Sequence, residues 1–193
     1  MAKKSFKQLS DRNRGRLVGE IYKLIIYYGN IFVPRKRSYI KEICSKEDCI
    51  YWLDDGKGDL VAMAVLEPNF VFEISGIKFK TVNYFISKYP GLMDRIFDHI
   101  WDDNKDCNLL LIGKRTVVKS FDKQKFNLTE FAPEEVLDIM PPIAQTKTNF
   151  YNISQETLYN GMIRNQNCLY LSPCSKDKAK LAEVFPKIKS RIN

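Results

Sequence analysis

The chain has 193 residues, of which 45% are apolar and 12% aromatic, and its 31 basic and 23 acidic side chains give a formal net charge of +8. This composition is typical of a folded globular protein with one sizeable domain and excludes a disordered chain. Its apolar runs stay short of the roughly 20 residues that a membrane-spanning helix needs, so we expect no membrane association. The positive charge suits an anionic ligand, an acidic protein or nucleic acid, and equally a solvated helix surface.

Cysteine and histidine content points away from disulfide and metal chemistry. The five cysteines are irregularly spaced and form no Cys-x-x-Cys pair, and His99 is the single histidine. We therefore expect reduced thiols with buried structural roles, and no metal site. The basic N-terminal segment lacks the apolar stretch of a signal peptide, so the expected location is cytoplasmic.

Two helices and a meander of strands are predicted in the first half of the chain. Behind a Ser10-Asp11 cap, apolar side chains recur at helical spacing up to Tyr28, and a shorter helix is predicted over 37–46. The predicted strands are 50–53, 60–66, 70–74 and 77–86. Turn signals separate them at 54–58, 68–69 and 75–76. This pattern indicates three or four antiparallel strands.

The segment 81–104 carries the most information about function. It is predicted as a buried strand, a Pro90-Gly91 turn and an amphipathic helix, with almost no residues between them. A helix that starts directly after a strand points unpaired backbone N–H groups into the turn. Such a turn is a ready site for an anion.

The second half of the chain alternates short strands and helices. The predicted strands are 108–112, 126–131 and 168–172. The predicted helices are 116–124, 134–140, 154–165 and 176–192, the last with a break at Pro186, while 143–152 is irregular. An all-apolar strand directly after the helix of the 81–104 segment indicates a local parallel pair. The fold class is therefore α+β, with a mixed sheet of an antiparallel meander plus a local parallel strand pair, flanked by helices.

This order of elements resembles the Gcn5-related N-acetyltransferase (GNAT) superfamily. That fold has two helices, an antiparallel meander, a fourth strand, a pyrophosphate-binding turn, a third helix, a fifth strand, a fourth helix and a closing strand. The family turn is Gln/Arg-x-x-Gly-x-Gly/Ala, and the aligned residues here are Lys88-Tyr89-Pro90-Gly91-Leu92-Met93. The resemblance implies a single GNAT-like domain over 1–193, with its core at about 10–131. It assigns no role to 132–193.

The resemblance implies acetyl-CoA or another acyl-CoA as co-substrate and an amine-bearing acceptor, either a small molecule or a protein. The residues implied to surround the pyrophosphate are Lys88, Tyr89, Gly91, Leu92, Met93 and Asp94. The edge of the strand before the turn, at Tyr84, Phe85 and Ile86, would face the pantetheine arm, because this fold splays its fourth and fifth strands apart. Lys88 replaces Gln or Arg and Met93 replaces a small residue.

Acyl transfer to an amine needs a base for the ammonium and a proton donor for the departing thiolate. Within the resemblance, Glu73 is the expected base, directly or through water, and Tyr84 or Tyr89 can donate protons. Phe121 stands where the family often has the tyrosine that protonates the thiolate, and Lys125 replaces a glycine. The function expected is therefore an acyl-CoA-dependent N-acyltransferase. The alternative is a GNAT-like module without catalysis that binds an acidic protein or nucleic acid.

Overall fold

A computed structural model of the chain describes residues 9–28, 37–45, 50–74, 76–119, 121–135, 143–144, 153–185 and 190. The helices are α1 (Asp11–Tyr28), α2 (Arg37–Cys44), α3 (Met93–Asp103), α4 (Arg115–Val118), α5 (Gln155–Asn165) and α6 (Ser175–Val184). The strands are β1 (Ile50–Asp54), β2 (Leu60–Ile74), β3 (Ile77–Ser87), β4 (Asn108–Lys114), β5 (Thr129–Phe131), β6 (Ile143–Ala144), β7 (Ile153–Ser154) and β8 (Asn167–Ser172).

The main sheet is mixed, which confirms the predicted α+β class. Six strands are ordered β1–β2–β3–β4–β8–β5, and β6 pairs with β7 in a separate ribbon. β3 and β4 are parallel, in a register that runs from Phe79 opposite Asn108 to Val82 opposite Leu111. The pairs β1–β2, β4–β8 and β5–β8 are antiparallel.

By its internal contacts the chain divides into two compact units. Unit one comprises residues 1–67 and 83–100, and unit two comprises 68–82 and 101–193. The single domain expected from the sequence stays a prediction.

In unit one, the apolar stripe of α1 forms the core together with α2 and the meander. Ser10 Oγ accepts a hydrogen bond from the N–H of Asn13, at 3.4 Å, which caps α1 as the sequence predicts. The core residues contributed by these elements are Val18, Ile21, Leu24, Ile25, Ile40, Cys44, Ile50, Leu60, Met63, Val65 and Ile86. The helical spacing of apolar residues in α1 therefore identifies its buried face.

Unit two is built on β4 and β8, which are buried along most of their length. Leu109, Leu110 and Leu111 pair with Ser172, Leu171 and Tyr170, and all six are buried. The ring of Phe131 in β5 meets Phe185 edge-on at 5.8 Å, just after α6. The apolar sequence of β4 thus belongs to an interior strand, and β4 pairs with β3 in parallel, as predicted.

Several predicted boundaries are wrong. The meander has three strands, because β2 continues through Pro68 to Ile74. Proline keeps an extended φ and removes only one donor, so a strand can pass through it where the ladder does not use that N–H. The helix predicted over 116–124 ends at Val118, and the strand predicted from 126 starts at Thr129. Between them the carboxylate of Asp122 accepts the N–H groups of Gln124 and Lys125, which favours a turn over a helix.

The C-terminal boundaries also differ. The segment expected to be irregular contains β6, which pairs with β7. The final helix begins at Ser175 and ends at Val184, and the break expected at Pro186 lies outside the described residues.

Candidate functional site

The turn between β3 and α3 is a well-defined element of unit one. The N–H of Lys88 donates to the carbonyl oxygen of Val61 at 2.8 Å, and Ser87 Oγ donates to the carbonyl oxygen of Tyr89 at 2.8 Å. The first helical bond of α3 runs from the N–H of Ile96 to the carbonyl oxygen of Leu92, at 3.2 Å. The strand, turn and helix predicted over 81–104 are therefore present.

Gly91 gives the turn its shape. Its φ is +78°, and no described atom lies within 4 Å of the position where a Cβ would stand. Positive φ is the region that glycine enters without steric cost. The backbone thus turns sharply into α3, and the space beside Gly91 is open to a ligand.

The side chains of the turn divide into exposed and buried groups. Tyr89 is 58% exposed, whereas Met93 is only 5% exposed and belongs to the buried face of α3. Lys88 and Leu92 are half-buried. Lys88 and Tyr89 are thus the side chains with access to a bound anion, and Met93 acts in packing.

Asp94 works against anion binding at this turn. It lies in the first turn of α3, and its Oδ1 accepts the N–H of Arg95 at 2.8 Å. A carboxylate in the first turn of a helix is stabilised by the helix dipole, and it competes there with any external anion. The resemblance placed Asp94 around the pyrophosphate, and its charge would lower the affinity for one.

The predicted strand-edge residues face different surroundings. Ile86 is part of the core of unit one, so only its backbone could contact a ligand. Phe85 is half-buried and meets Phe97 of α3 edge-on, with ring centroids 6.2 Å apart. The backbone of Glu73 lies in β2 and that of Tyr84 in β3, and the side chains of both lie outside what the structure describes.

Phe121 is a packing residue of unit two. It is 5% exposed, and its ring meets Phe126 edge-on at 6.2 Å. The Nζ of Lys125 lies 5.3 Å from the centre of the Phe126 ring. Neither ring can donate a proton, so a proton donor for a thiolate has to come from another residue.

A polar cluster around Glu130 was not predicted from the sequence. Its Oε1 accepts Arg115 Nε at 2.7 Å, and its Oε2 accepts Lys123 Nζ at 3.3 Å. Burial opposes ionisation of Glu130, but these hydrogen bonds outweigh it and hold its pKa below the ordinary value. Glu130 lies opposite Tyr170 in the β5–β8 register. No local sequence signal could show that Glu130 and Tyr170 are neighbours, because the strand pairing joins residues 40 positions apart.

Tyr170 and Cys168 are the buried titratable groups beside this cluster in β8. Burial raises the pKa of both the Tyr170 phenol and the Cys168 thiol, so both are neutral near pH 7. The Tyr170 hydroxyl has no oxygen or nitrogen partner among the described residues, and its side-chain contact is with the Cys168 thiol, a weak hydrogen-bond partner. A raised thiol pKa is typical of a structural cysteine and not of a nucleophile.

Four described cysteines are free, and three of them are buried, as expected; Cys49 lies outside the described ranges. His99 is exposed on α3. Within the described part of the chain, no three His, Cys, Asp or Glu side chains converge on a common point. No helix in that part has the length and apolar character to cross a bilayer.

Comparison of the chain with protein-family models, with curated proteins and with solved structures finds no match.

Proposed function

We propose that this protein is an acyl-CoA-dependent N-acyltransferase that moves an acyl group, most simply acetyl, to an amine on a small molecule or a protein. The observation that carries the proposal is Gly91, which has a φ of +78° and open space beside it. The next residue, Leu92, accepts the first helical hydrogen bond of α3 through its carbonyl oxygen. The element order on both sides of this turn agrees with the order that the resemblance to the GNAT superfamily implies.

The turn would hold the coenzyme through its phosphates. The N–H groups at the start of α3, apart from that of Arg95, which donates to Asp94, have no carbonyl partner within the helix and would donate to the pyrophosphate. Gly91 leaves room for close approach. Lys88 would supply a positive charge as a point contact, since an ammonium cannot form the two-pronged contact of a guanidinium. The exposed ring of Tyr89 lies beside the same turn.

The chemistry would be a direct attack on the thioester. Glu73 would accept a proton from the ammonium, directly or through water, which frees the amine lone pair. The amine nitrogen then bonds to the carbonyl carbon and loses its second proton to solvent as the carbon–sulfur bond breaks. Tyr84 would give a proton to the departing thiolate and regain one from water. Backbone N–H groups at the edge of β3, near Phe85 and Ile86, would stabilise the oxyanion. A cytoplasmic location is part of this proposal, because the free cysteines suit a reducing compartment.

Thermal unfolding with and without acetyl-CoA tests the proposal, and Gly91 provides a matched pair of variants. Ligand at 100 times Kd should raise the free energy of unfolding by about 2.7 kcal/mol. Gly91→Asn and Gly91→Asp are nearly equal in size, and only the second adds a negative charge. At about 5 Å and an effective dielectric constant of about 20, a carboxylate and one phosphate charge repel by about 3 kcal/mol, which lowers affinity about 100-fold.

We therefore expect Gly91→Asn to keep most of the acetyl-CoA shift and Gly91→Asp to lose it. An absence of any shift for the unchanged protein at millimolar acetyl-CoA would refute acyl-CoA binding. Equal shifts for the two variants would place the coenzyme away from this turn.

A binding module without catalysis is the second candidate, and Phe121 favours it. The residue at the family's tyrosine position is a buried phenyl ring packed on Phe126. Together with the net charge of +8, this suits a protein that binds an acidic protein or nucleic acid. Binding to a mixed-sequence nucleic acid should then weaken steeply with salt. A flat salt response would argue against nucleic acid as the partner.

A further inference from the structure

Unit two contains a cleft of about 520 Å³ that none of the predicted functional residues lines. Its walls come from the beginning of β3, from the residues before β4 and from the first two turns of α6. The volume lies within the range of about 300–1,000 Å³ that is typical of small-molecule sites. We refer to it as the β3–α6 cleft.

The side chain of Asn108 links the walls of the β3–α6 cleft through hydrogen bonds. This side chain is 5% exposed and accepts the N–H of Cys174 at 2.9 Å through its Oδ1. Its Nδ2 donates to Asp177 Oδ2 at 2.6 Å and to the carbonyl oxygen of Lys78 at 3.3 Å. One buried amide thus joins β3, β4 and α6, so the groups around the cleft are held in place without a ligand.

Positive charge in the cleft exceeds negative charge. Four lysines line it: Lys78, Lys80, Lys176 and Lys180. The two acidic residues of the lining are Asp106 and Asp177, which leaves a formal excess of two positive charges. The carboxylate of Asp177 already accepts hydrogen bonds from Asn108 and from the Cys174 thiol.

None of these four lysines is within 4.0 Å of an acidic oxygen in the described part of the chain. Lys80 Nζ donates instead to the neutral amide oxygen of Asn104, at 3.0 Å. Lysines elsewhere do form ion pairs, for example Lys23 with Glu20 at 3.2 Å and Lys105 with Asp102 at 3.1 Å. The hydrogen bond from Asn108 and, at longer range, the charges of Lys176 and Lys180 lower the pKa of Asp177. The four lysines still exceed the two carboxylates of the lining by two charges, and a bound anion would offset that excess.

The N-terminus of α6 adds donors on the same side of the cleft. Its N-cap residue, Cys174, has an extended backbone and makes no side-chain capping bond within the described residues. Asp177, which could cap from the first turn, is engaged by Asn108. The N–H groups of the first turn, at Ser175 and Lys176, are therefore available to an anion.

We propose that the β3–α6 cleft binds a small phosphorylated anion, with its phosphate between the four lysines and the N-terminus of α6. A phosphate group has several strong acceptor oxygens and up to two negative charges, which match the excess charge and the donors of the cleft. The site uses none of the residues of the proposed coenzyme turn, so it goes beyond the acyltransferase proposal and does not depend on it.

Isothermal titration with inorganic pyrophosphate at low ionic strength tests the site. The test variant is Lys176→Gln/Lys180→Gln, and the matched control is Lys114→Gln/Lys119→Gln, which removes the same charge from exposed positions of unit two that do not line the cleft. Loss of a charge-assisted hydrogen bond should weaken binding about tenfold or more. We expect that loss in the cleft variant and near-unchanged affinity in the control.

A third variant, Lys88→Gln, separates this site from the coenzyme turn, because pyrophosphate resembles part of coenzyme A. Retained binding in Lys88→Gln with loss in Lys176→Gln/Lys180→Gln supports the cleft. The reverse result would overturn it, and so would equal weakening in the cleft variant and the Lys114→Gln/Lys119→Gln control. Circular dichroism of each variant checks that these substitutions leave the fold intact.

Cys107 provides a local readout that does not depend on any substitution. It is half-buried and lines the cleft, whereas Cys44, Cys168 and Cys174 are buried. Pyrophosphate at saturating concentration should slow alkylation of Cys107 by iodoacetamide, measured by peptide mass spectrometry. An unchanged rate at saturation would contradict occupancy of the cleft. If ADP protects Cys107 at lower concentration than pyrophosphate does, the phosphate belongs to a nucleotide; equal protection indicates free phosphate.

Discussion

Removal of the Tyr170 hydroxyl is expected to make the protein more stable. Tyr170 is fully buried in β8, and in the described part of the chain its hydroxyl has only the Cys168 thiol, a weak hydrogen-bond partner. A buried hydroxyl without a strong partner costs about 1–3 kcal/mol in mutational data. Phenylalanine keeps the ring and its packing and leaves only an oxygen-sized void. Tyr170→Phe should therefore raise the free energy of unfolding by about 1 kcal/mol, at the lower end of that range.

Urea unfolding followed by tryptophan fluorescence measures this change. The midpoint should rise while the slope with urea stays the same, because the surface exposed on unfolding is unchanged. The corresponding rise in Tm is about 2–4 °C for a chain of this length. Tyr170→Ala serves as the contrast, since loss of the ring should cost about 3–5 kcal/mol. A lower stability of Tyr170→Phe would show that the hydroxyl gains more from its polar contacts than its burial costs, and would refute the reasoning.

Two further predictions concern the turn and the polar cluster. Gly91→Ala should lower the free energy of unfolding by about 1–2 kcal/mol, because alanine at a φ of +78° is strained even where no atom is near. Gly91→Asn should lower it by less, since asparagine tolerates a positive φ better than alanine does. Equal losses of stability for the two variants in thermal unfolding would contradict backbone strain as the cause. Glu130→Gln should cost about 0.5–1 kcal/mol at neutral pH through its contacts with Arg115 and Lys123, because the partly exposed partners are screened by solvent. Because the folded pKa of Glu130 is lowered, this advantage is complete above the ordinary glutamate pKa and disappears as the pH falls through the folded value. Unfolding curves of the unchanged protein and of Glu130→Gln, recorded across that pH range, check this prediction. If the stability difference between the two proteins stays constant at acid pH, the ion pairs of Glu130 are not its cause.

Local sequence patterns predicted the elements that depend on neighbouring residues. The apolar spacing and the Ser10 cap of α1, the apolar run of β4 and the glycine turn before α3 all reflect interactions within a few positions. Boundaries failed where a side chain competed with the backbone, as Asp122 does after α4, or where a proline was tolerated, as Pro68 is in β2.

The local backbone of the candidate coenzyme turn follows from its sequence, because Gly91 favours a positive φ and α3 starts two residues later. Which of its side chains reach solvent was decided by packing. Met93 and Ile86 are buried because α3 and the meander turn those positions inward, and an amino-acid pattern does not reveal such an orientation with certainty. Tyr89 is exposed for the same reason.

The groups that converge from distant parts of the chain were decided by the tertiary structure alone. β8 lies between β4 and β5, which sets Tyr170 opposite Glu130. α6 brings Lys176 and Lys180 to the same cleft as Lys78 and Lys80, about a hundred residues earlier in the chain. Strand order and helix docking minimise exposed apolar surface over the whole chain, so they depend on contacts between residues far apart in sequence. The sequence therefore shows a helix, a strand or a turn, while the folded chain determines which charges meet.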